Sequence, residues 1–225
     1  MAKRKTLAPW KPSREIQLKS IARRVPDVIA ENLNVLFCGI NPGLYSAAVG
    51  HHFAGPGNLF WPMIYRAGLT PRLFTAFDEP EMAALGFGIT NLVPRASKDA
   101  EDLTKEELRA GAKTVKRKVR KFKPRFLAVL GLAAYRTAFE KTKAQVGYQD
   151  AVGATKVYLL PNPSGLNAFH QPAVLNQMFL AFREELLKEG VALPEIPVLP
   201  PIEPKAPSAP KASSTKKAVS KSSLS

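Results

Sequence analysis

The chain has 225 residues, a hydrophobic content of 45% and a formal charge of +15. That length suits one domain with a real core, no apolar run approaches the ~20 residues of a membrane-spanning helix, and the single cysteine, Cys38, excludes an internal disulfide or a four-cysteine metal site. The charge is uneven: residues 1–25 hold eight Lys or Arg against one Glu, residues 191–225 five Lys against two Glu, and the span between twenty against fifteen.

Basic ends on a basic body fit a polyanionic partner, nucleic acid first, with a plain solubilising role as the alternative. The opening Met-Ala-Lys-Arg-Lys-Thr lacks the apolar core of a secretory signal, so a cytoplasmic, nucleoid-associated location is expected. Composition divides the chain into a basic N-terminal extension over 1–25, a globular domain over 26–190 and a Pro-, Ser- and Lys-rich tail over 191–225. From Leu193 onward that tail has no apolar periodicity and predicts disorder.

In chain order, Ile16, Leu18, Ile21, Val25 and Ile29, with basic residues between, predict a short helix within 16–30. Val35 to Cys38 is a continuous apolar run that predicts a buried strand. Gly39 ends it, and Asn41-Pro42-Gly43 turns the backbone at the strand's carboxyl end, where ligands bind in open α/β sheets. The plain alternative is a turn with no further role. Residues 44–57 read as a long loop holding Tyr45, Ser46, His51, His52 and Phe53, a length that points to function. Phe53 lies off any periodic face, so it either fills the core or stacks on a flat ligand. Phe60, Trp61, Ile64 and Tyr65 at helical spacing predict a core helix stopped near Gly68.

Residues 87–92 predict another strand, ending in Thr90-Asn91 and followed by a polar loop with Arg95, Ser97, Lys98 and Asp99. Thr104 and Glu107 form a capping box. The helix it opens buries Leu108, Ala112, Val115, Val119 and Phe122, while Lys113, Lys116, Arg117, Arg120 and Lys121 form a face that is either merely solvated or contacts phosphate. A strand over 125–130, a short helix over 133–139 and a strand over 157–160 follow. The last runs into Pro161-Asn162-Pro163-Ser164-Gly165-Leu166, a second Asn-Pro turn. Pro172 suits the first position of a final helix carrying Leu175, Met178, Phe179, Phe182 and Leu186. Strands alternating with helices predict an α/β fold, a three-layer α/β/α sandwich around a short, mostly parallel sheet.

No phosphate-loop or dinucleotide-binding glycine pattern is present. Three histidines, two adjacent, are thin support for a metal site, so neither metal nor cofactor is expected.

Gly39-Ile40-Asn41-Pro42-Gly43, Phe53-Ala54-x-Pro56, Asn58-x-Phe60-Trp61, Thr90-Asn91-Leu92-Val93-x-Arg95 and Leu160-Pro161-Asn162-Pro163-Ser164-Gly165-Leu166 together resemble the mismatch-specific uracil-DNA glycosylases, the bacterial relatives of thymine-DNA glycosylase. The resemblance runs over roughly residues 33–188 in the same order. It implies a uracil-DNA glycosylase-like fold and a monomeric, monofunctional enzyme. Its partner would be double-stranded DNA bearing a mispaired or damaged pyrimidine. The base would be flipped from the duplex and its bond to the sugar hydrolysed.

Carried over by position, Asn41 would hold the attacking water, and Gly39, Ile40, Phe53 and Asn91 would form the base pocket. Ser46, Asn162, Pro163 and Ser164 would contact the DNA backbone, with Gly165 and Leu166 entering the duplex as a wedge. An amide cannot take a proton from water, so the pattern implies slow turnover, and Asp99 is the candidate second catalytic group, the alternative being a surface or capping acid. Tyr45 and Ala168 depart from the pattern, at positions where a small hydroxyl residue and an arginine are common. Two rival readings are a mismatch-binding protein without catalysis and a small-molecule enzyme with incidental basic ends.

Overall fold

The computed structural model describes residues 11–164 and 171–202. Its centre is a five-stranded sheet in the order β2-β1-β3-β5-β4. Strands β1 (Val35–Gly39), β2 (Phe87–Asn91), β3 (Phe126–Leu130) and β5 (Thr155–Leu160) are parallel, while β4 (Gly147–Val152) runs antiparallel along the β5 edge. The four parallel strands are buried almost throughout, which is why they read as unbroken apolar runs. The β4 sequence Gly-Tyr-Gln-Asp-Ala-Val is half polar and mostly exposed, and nothing in it announced a strand.

Alternation along each strand divides the core in two. Val35, Phe37, Phe126, Ala128, Tyr158 and Leu160 pack with α3 (Phe60–Arg66) and α6 (Pro172–Lys188). Leu36, Cys38, Leu127, Val129, Val157 and Leu159 pack with α4 (Lys105–Phe122) and α5 (Leu132–Ala138). This is the three-layer sandwich, and it follows from period-two side chains meeting helices on both faces.

Three segments differ from the sequence reading. Within 16–30 only α1 (Arg14–Leu18) is helical, and it buries no residue. Beyond it the chain is extended and bridges antiparallel to the β2 side, Arg24 with Arg95 and Val28 with Ile89. Pro26 and β-branched Val25, Val28 and Ile29 suit that sheet edge better than a helix. Residues 44–57 are not one loop: Leu44–Val49 form α2, which Gly50 stops at φ +80°. This helix has no side-chain N-cap, so its start was invisible in Pro42-Gly43.

Third, residues 191–202 carry no regular structure but run along the body. Val191 is buried, and Arg183 donates to the Gly68 and Pro194 carbonyls at 2.7 Å each. The anchor is a buried side chain elsewhere in the chain, so composition alone predicted a free tail there. Residues 203–225 lie outside the described residues.

Candidate active site

All four parallel strands end on one edge of the sheet. Gly39 pairs with Asn91 and Leu130 with Leu160, so the loops after β1, β2 and β5 leave at one level. Leu92 N–H donates to the Gly39 carbonyl and Val93 N–H to that of Ile40, both at 2.9 Å. Gly131 N–H bonds the Leu160 carbonyl at 2.8 Å, and a Cβ on Gly131 would lie 3.0 Å from the Ile40 side chain and 3.8 Å from Asn162. Leu59 N–H donates to the Pro163 carbonyl at 2.8 Å, tying the second Asn-Pro turn to the start of α3. The two Asn-Pro turns therefore converge on one cleft.

At its base lies a cavity of about 40 Å³, lined by Asn41, Pro42, Gly43, Ser46, His52, Phe53, Asn58 and Asn91. That volume holds a water, whose share of liquid is about 30 Å³. A larger hollow of about 480 Å³ lies between Tyr135 and β4. It is spanned by the Lys141–Asp150 ion pair and shares no lining residue with the cleft, so size does not locate the chemistry.

The Asn41 amide is oriented by its partners. Nδ2 donates to Ser97 Oγ at 2.7 Å and lies within bonding distance of the Pro42 carbonyl at 3.2 Å and the Arg95 carbonyl at 3.3 Å. Carbonyls only accept, so nitrogen must face them and Oδ1 is the atom left for the cavity. Ser97 Oγ in turn donates to the Asp99 carbonyl at 2.5 Å. The loop that supplies these partners is clamped by Arg95, whose guanidinium bonds both Glu107 carboxylate oxygens, at 2.5 and 2.8 Å. The Arg95 guanidinium and the Thr104 amide hold the Glu107 carboxyl down to about 2.

Asn91 is fixed the same way. His52 Nε2 lies 2.9 Å from the Pro26 carbonyl, so Nε2 carries the proton and Nδ1 presents a lone pair. Asn91 Nδ2 donates to that lone pair at 3.2 Å. Burial lowers the His52 pKa and keeps the ring neutral, against the opposing pull of Glu79, whose Oε2 accepts from the His52 amide at 2.8 Å. Asn91 Oδ1 is thereby turned toward Gly39, where a Cβ would lie 2.5 Å from it and 3.2 Å from Phe53 Cζ. Glycine at 39 is what lets the amide and the ring approach the strand end. One face of Phe53 stacks on Phe60 at 4.1 Å, leaving its opposite face and edge for a ligand.

The structure thus gathers Asn41, Ser46, Phe53 and Asn91 about one cavity with Gly39 beside it. Ser46 is 5% exposed and its Oγ accepts from Ala54 N–H at 3.0 Å, so it props the cavity wall from beneath. The Ile40 side chain lies against Gly131. Asn162 Oδ1 accepts from Ser164 N–H at 3.1 Å, folding the Asn162-Pro163-Ser164 turn on itself. Gly165, Leu166 and Ala168 lie outside the described residues. The Asp99 carboxylate is not among the lining groups; it lies 3.7 Å from Lys98 Nζ, and only the Asp99 backbone enters the Asn41 network. His52, Asn58 and Ser97 were named in the sequence reading, as loop or motif residues, but were given no role in the site. Adjacent histidines in one loop could not say which turned inward.

A family model for the uracil DNA glycosylase superfamily matches residues 26–187. The chain belongs to that superfamily. It is a DNA glycosylase fold with a DNA partner. Cys38, one residue before the Gly39 strand end, is fully buried and its thiol is pushed up to about 12 by burial, so it supplies no nucleophile. Four cations of the α4 face, Lys116, Arg117, Arg120 and Lys121, lie in the last two turns of the helix. The helix begins near Arg95 at the carboxyl edge and ends where the chain enters β3, so its last two turns lie at the opposite, amino edge.

Proposed function

We propose that this glycosylase is a mismatch-specific, monofunctional enzyme that excises uracil, and more slowly thymine or modified pyrimidines, from mispairs with guanine in double-stranded DNA. A mispaired nucleotide costs less to extrude than a paired one, within a total of a few kcal/mol, so preference for the mispair arises in the duplex itself. Asn162-Pro163-Ser164 would hold the backbone, and Gly165-Leu166 would fill the gap left in the stack. Asn91 offers Oδ1 and its second N–H side by side, an acceptor and a donor that match the N3–H and O4 edge of uracil or thymine.

The observation that carries the reading is the orientation of Asn41: with Nδ2 held by Ser97, Arg95 O and Pro42 O, Oδ1 is left to accept a hydrogen bond from a water in the cavity. That water would attack C1′ of the sugar. A bond forms from water oxygen to C1′, the C1′–N1 bond breaks and the electron pair leaves with the base; the attacking water releases one proton to solvent and the departing base takes one up from solvent. Among the described residues no lysine lines the cavity, so no covalent amine intermediate is implied.

Among the described residues no carboxylate lines the cavity either, and general-base help of about 10²–10⁴ is forgone. That same observation favours the second reading, a mismatch-binding protein with little catalysis. A base-release panel on G·U, A·U, G·T and single-stranded uracil substrates separates them, with Asn41→Ala as control. Release from G·U ahead of A·U, lost by about 10²-fold or more in Asn41→Ala, supports the enzyme. Duplex binding without release supports the alternative.

A further inference from the structure

Two basic surfaces flank this molecule, and only one adjoins the cleft. Residues 11–25 precede the span that matches the superfamily. Within them Lys11, Arg14, Lys19, Arg23 and Arg24 are exposed. Among the described residues Lys19 is the one cation of this group in an ion pair, with Glu15 at 2.6 Å. Elsewhere some cations are paired with acids, Arg72 with Asp78 and Glu81, Arg95 with Glu107 and Lys118 with Asp27.

The segment is built onto the loop that orients Asn41. Ala22 N–H donates to the Ala96 carbonyl at 3.1 Å, Ala96 N–H donates to the Arg23 carbonyl at 2.8 Å, and Arg24 bridges Arg95. Arg95 is the residue whose carbonyl lies 3.3 Å from Asn41 Nδ2. Upstream, α1 packs on α2, which follows directly from Asn41-Pro42-Gly43. Four cations without acid partners, on a segment hydrogen-bonded one residue from the catalytic network, stand at the rim of the cleft. A flipped nucleotide brings its flanking phosphates to that rim. The cations in the last two turns of α4, toward the amino edge, do not reach it.

We infer that the segment Lys11–Arg24 is a second DNA-phosphate contact surface, built by this chain outside the superfamily domain, which grips the strand beside the flipped nucleotide. This rests on the chain's being a DNA glycosylase. Each phosphate contact contributes about 0.9 to the slope of log affinity against log salt. Three contacts make the affinity loss between about 50 and 200 mM salt on the order of 40-fold steeper than without them.

The test is the salt dependence of full-chain binding to an undamaged fluorescent duplex, with thermal melting as a check on folding. Arg14→Gln/Arg23→Gln/Arg24→Gln is expected to flatten the slope by about 2–3, while the Arg→Lys version of the same triple retains it. Arg117→Gln/Arg120→Gln/Lys121→Gln on α4 is expected to leave it unchanged. Should the Arg23 and Arg24 changes lower the melting temperature, Lys11→Gln/Arg14→Gln, outside the Ala96 pairing, is expected to flatten the slope by about 1–2. An unchanged slope in these variants, or a flattened one in the α4 triple, overturns the inference. Absence of base release by the wild-type chain would instead overturn the mismatch-glycosylase reading and leave this binding result standing.

Discussion

Gly39→Ala tests the site at the point where it is most tightly assembled. The added Cβ would meet Asn91 Oδ1 at 2.5 Å and Phe53 Cζ at 3.2 Å, whereas ordinary contact begins at 3.4 Å. The amide must therefore retreat by about 0.9 Å, the difference between 3.4 and 2.5 Å. It cannot do so and keep His52, because its bond to His52 Nδ1 is already 3.2 Å long. Losing that bond costs about 1 kcal/mol, and displacing a group by ~1 Å at a reacting centre costs about 10²-fold in rate. Single-turnover base release from a G·U duplex should thus fall about 10²-fold, with duplex affinity little altered. In an Asn91→Ala background the clash partner is absent, so adding Gly39→Ala should cost much less than it does alone. Wild-type rates in Gly39→Ala, or full additivity of the two changes, would refute the reasoning that Asn91 is held against the strand end.

Ser97→Ala removes the shortest Asn41 bond, at 2.7 Å; the single-turnover rate should drop about five- to tenfold, matching a bond of about 1 kcal/mol, and an unchanged rate would remove Ser97 from the network. Asp99→Asn keeps the backbone carbonyl that Ser97 uses; single-turnover kinetics should stay within about threefold, whereas a loss of about 10²–10⁴ would show the carboxylate acting as a general base after all. His52 has a folded-state pKa below 6.5 through burial, with Glu79 and Asp27 opposing and His51 reinforcing the shift. The unfolded chain takes up the proton first as pH falls, so the neutral ring's contribution to stability is present above about 6.5 and lost below it. Protonation also puts a donor against Asn91 Nδ2, so base release should show an acid limb that His52→Gln abolishes. A rate–pH profile in which the limb persists in the variant would contradict this.

The layered fold, and the strand ends on which the two Asn-Pro turns sit, were legible in the sequence. Short runs at 35–38, 87–92, 125–130 and 157–160, mainly apolar and rich in β-favouring residues, read as buried strands, and Asn-Pro turns after two of them pointed to the carboxyl edge as the place to look. Local signals with a chemical cause, such as the Thr104–Glu107 capping box and Pro172 at the first position of α6, also read true. The tertiary structure alone decided which way the side chains faced. His52 is set by the Pro26 carbonyl, Asn91 by His52, and Asn41 by Ser97 and the Arg95 carbonyl, partners 26, 39, 56 and 54 residues away in the chain. Distance in sequence likewise hid the pairing of residues 22–28 with 89–96 and the bond by which Arg183 fixes itself to Gly68, 115 residues away, while also holding Pro194. Periodicity reports the burial of a face. An amide's orientation depends on single donors and acceptors that only folding brings together.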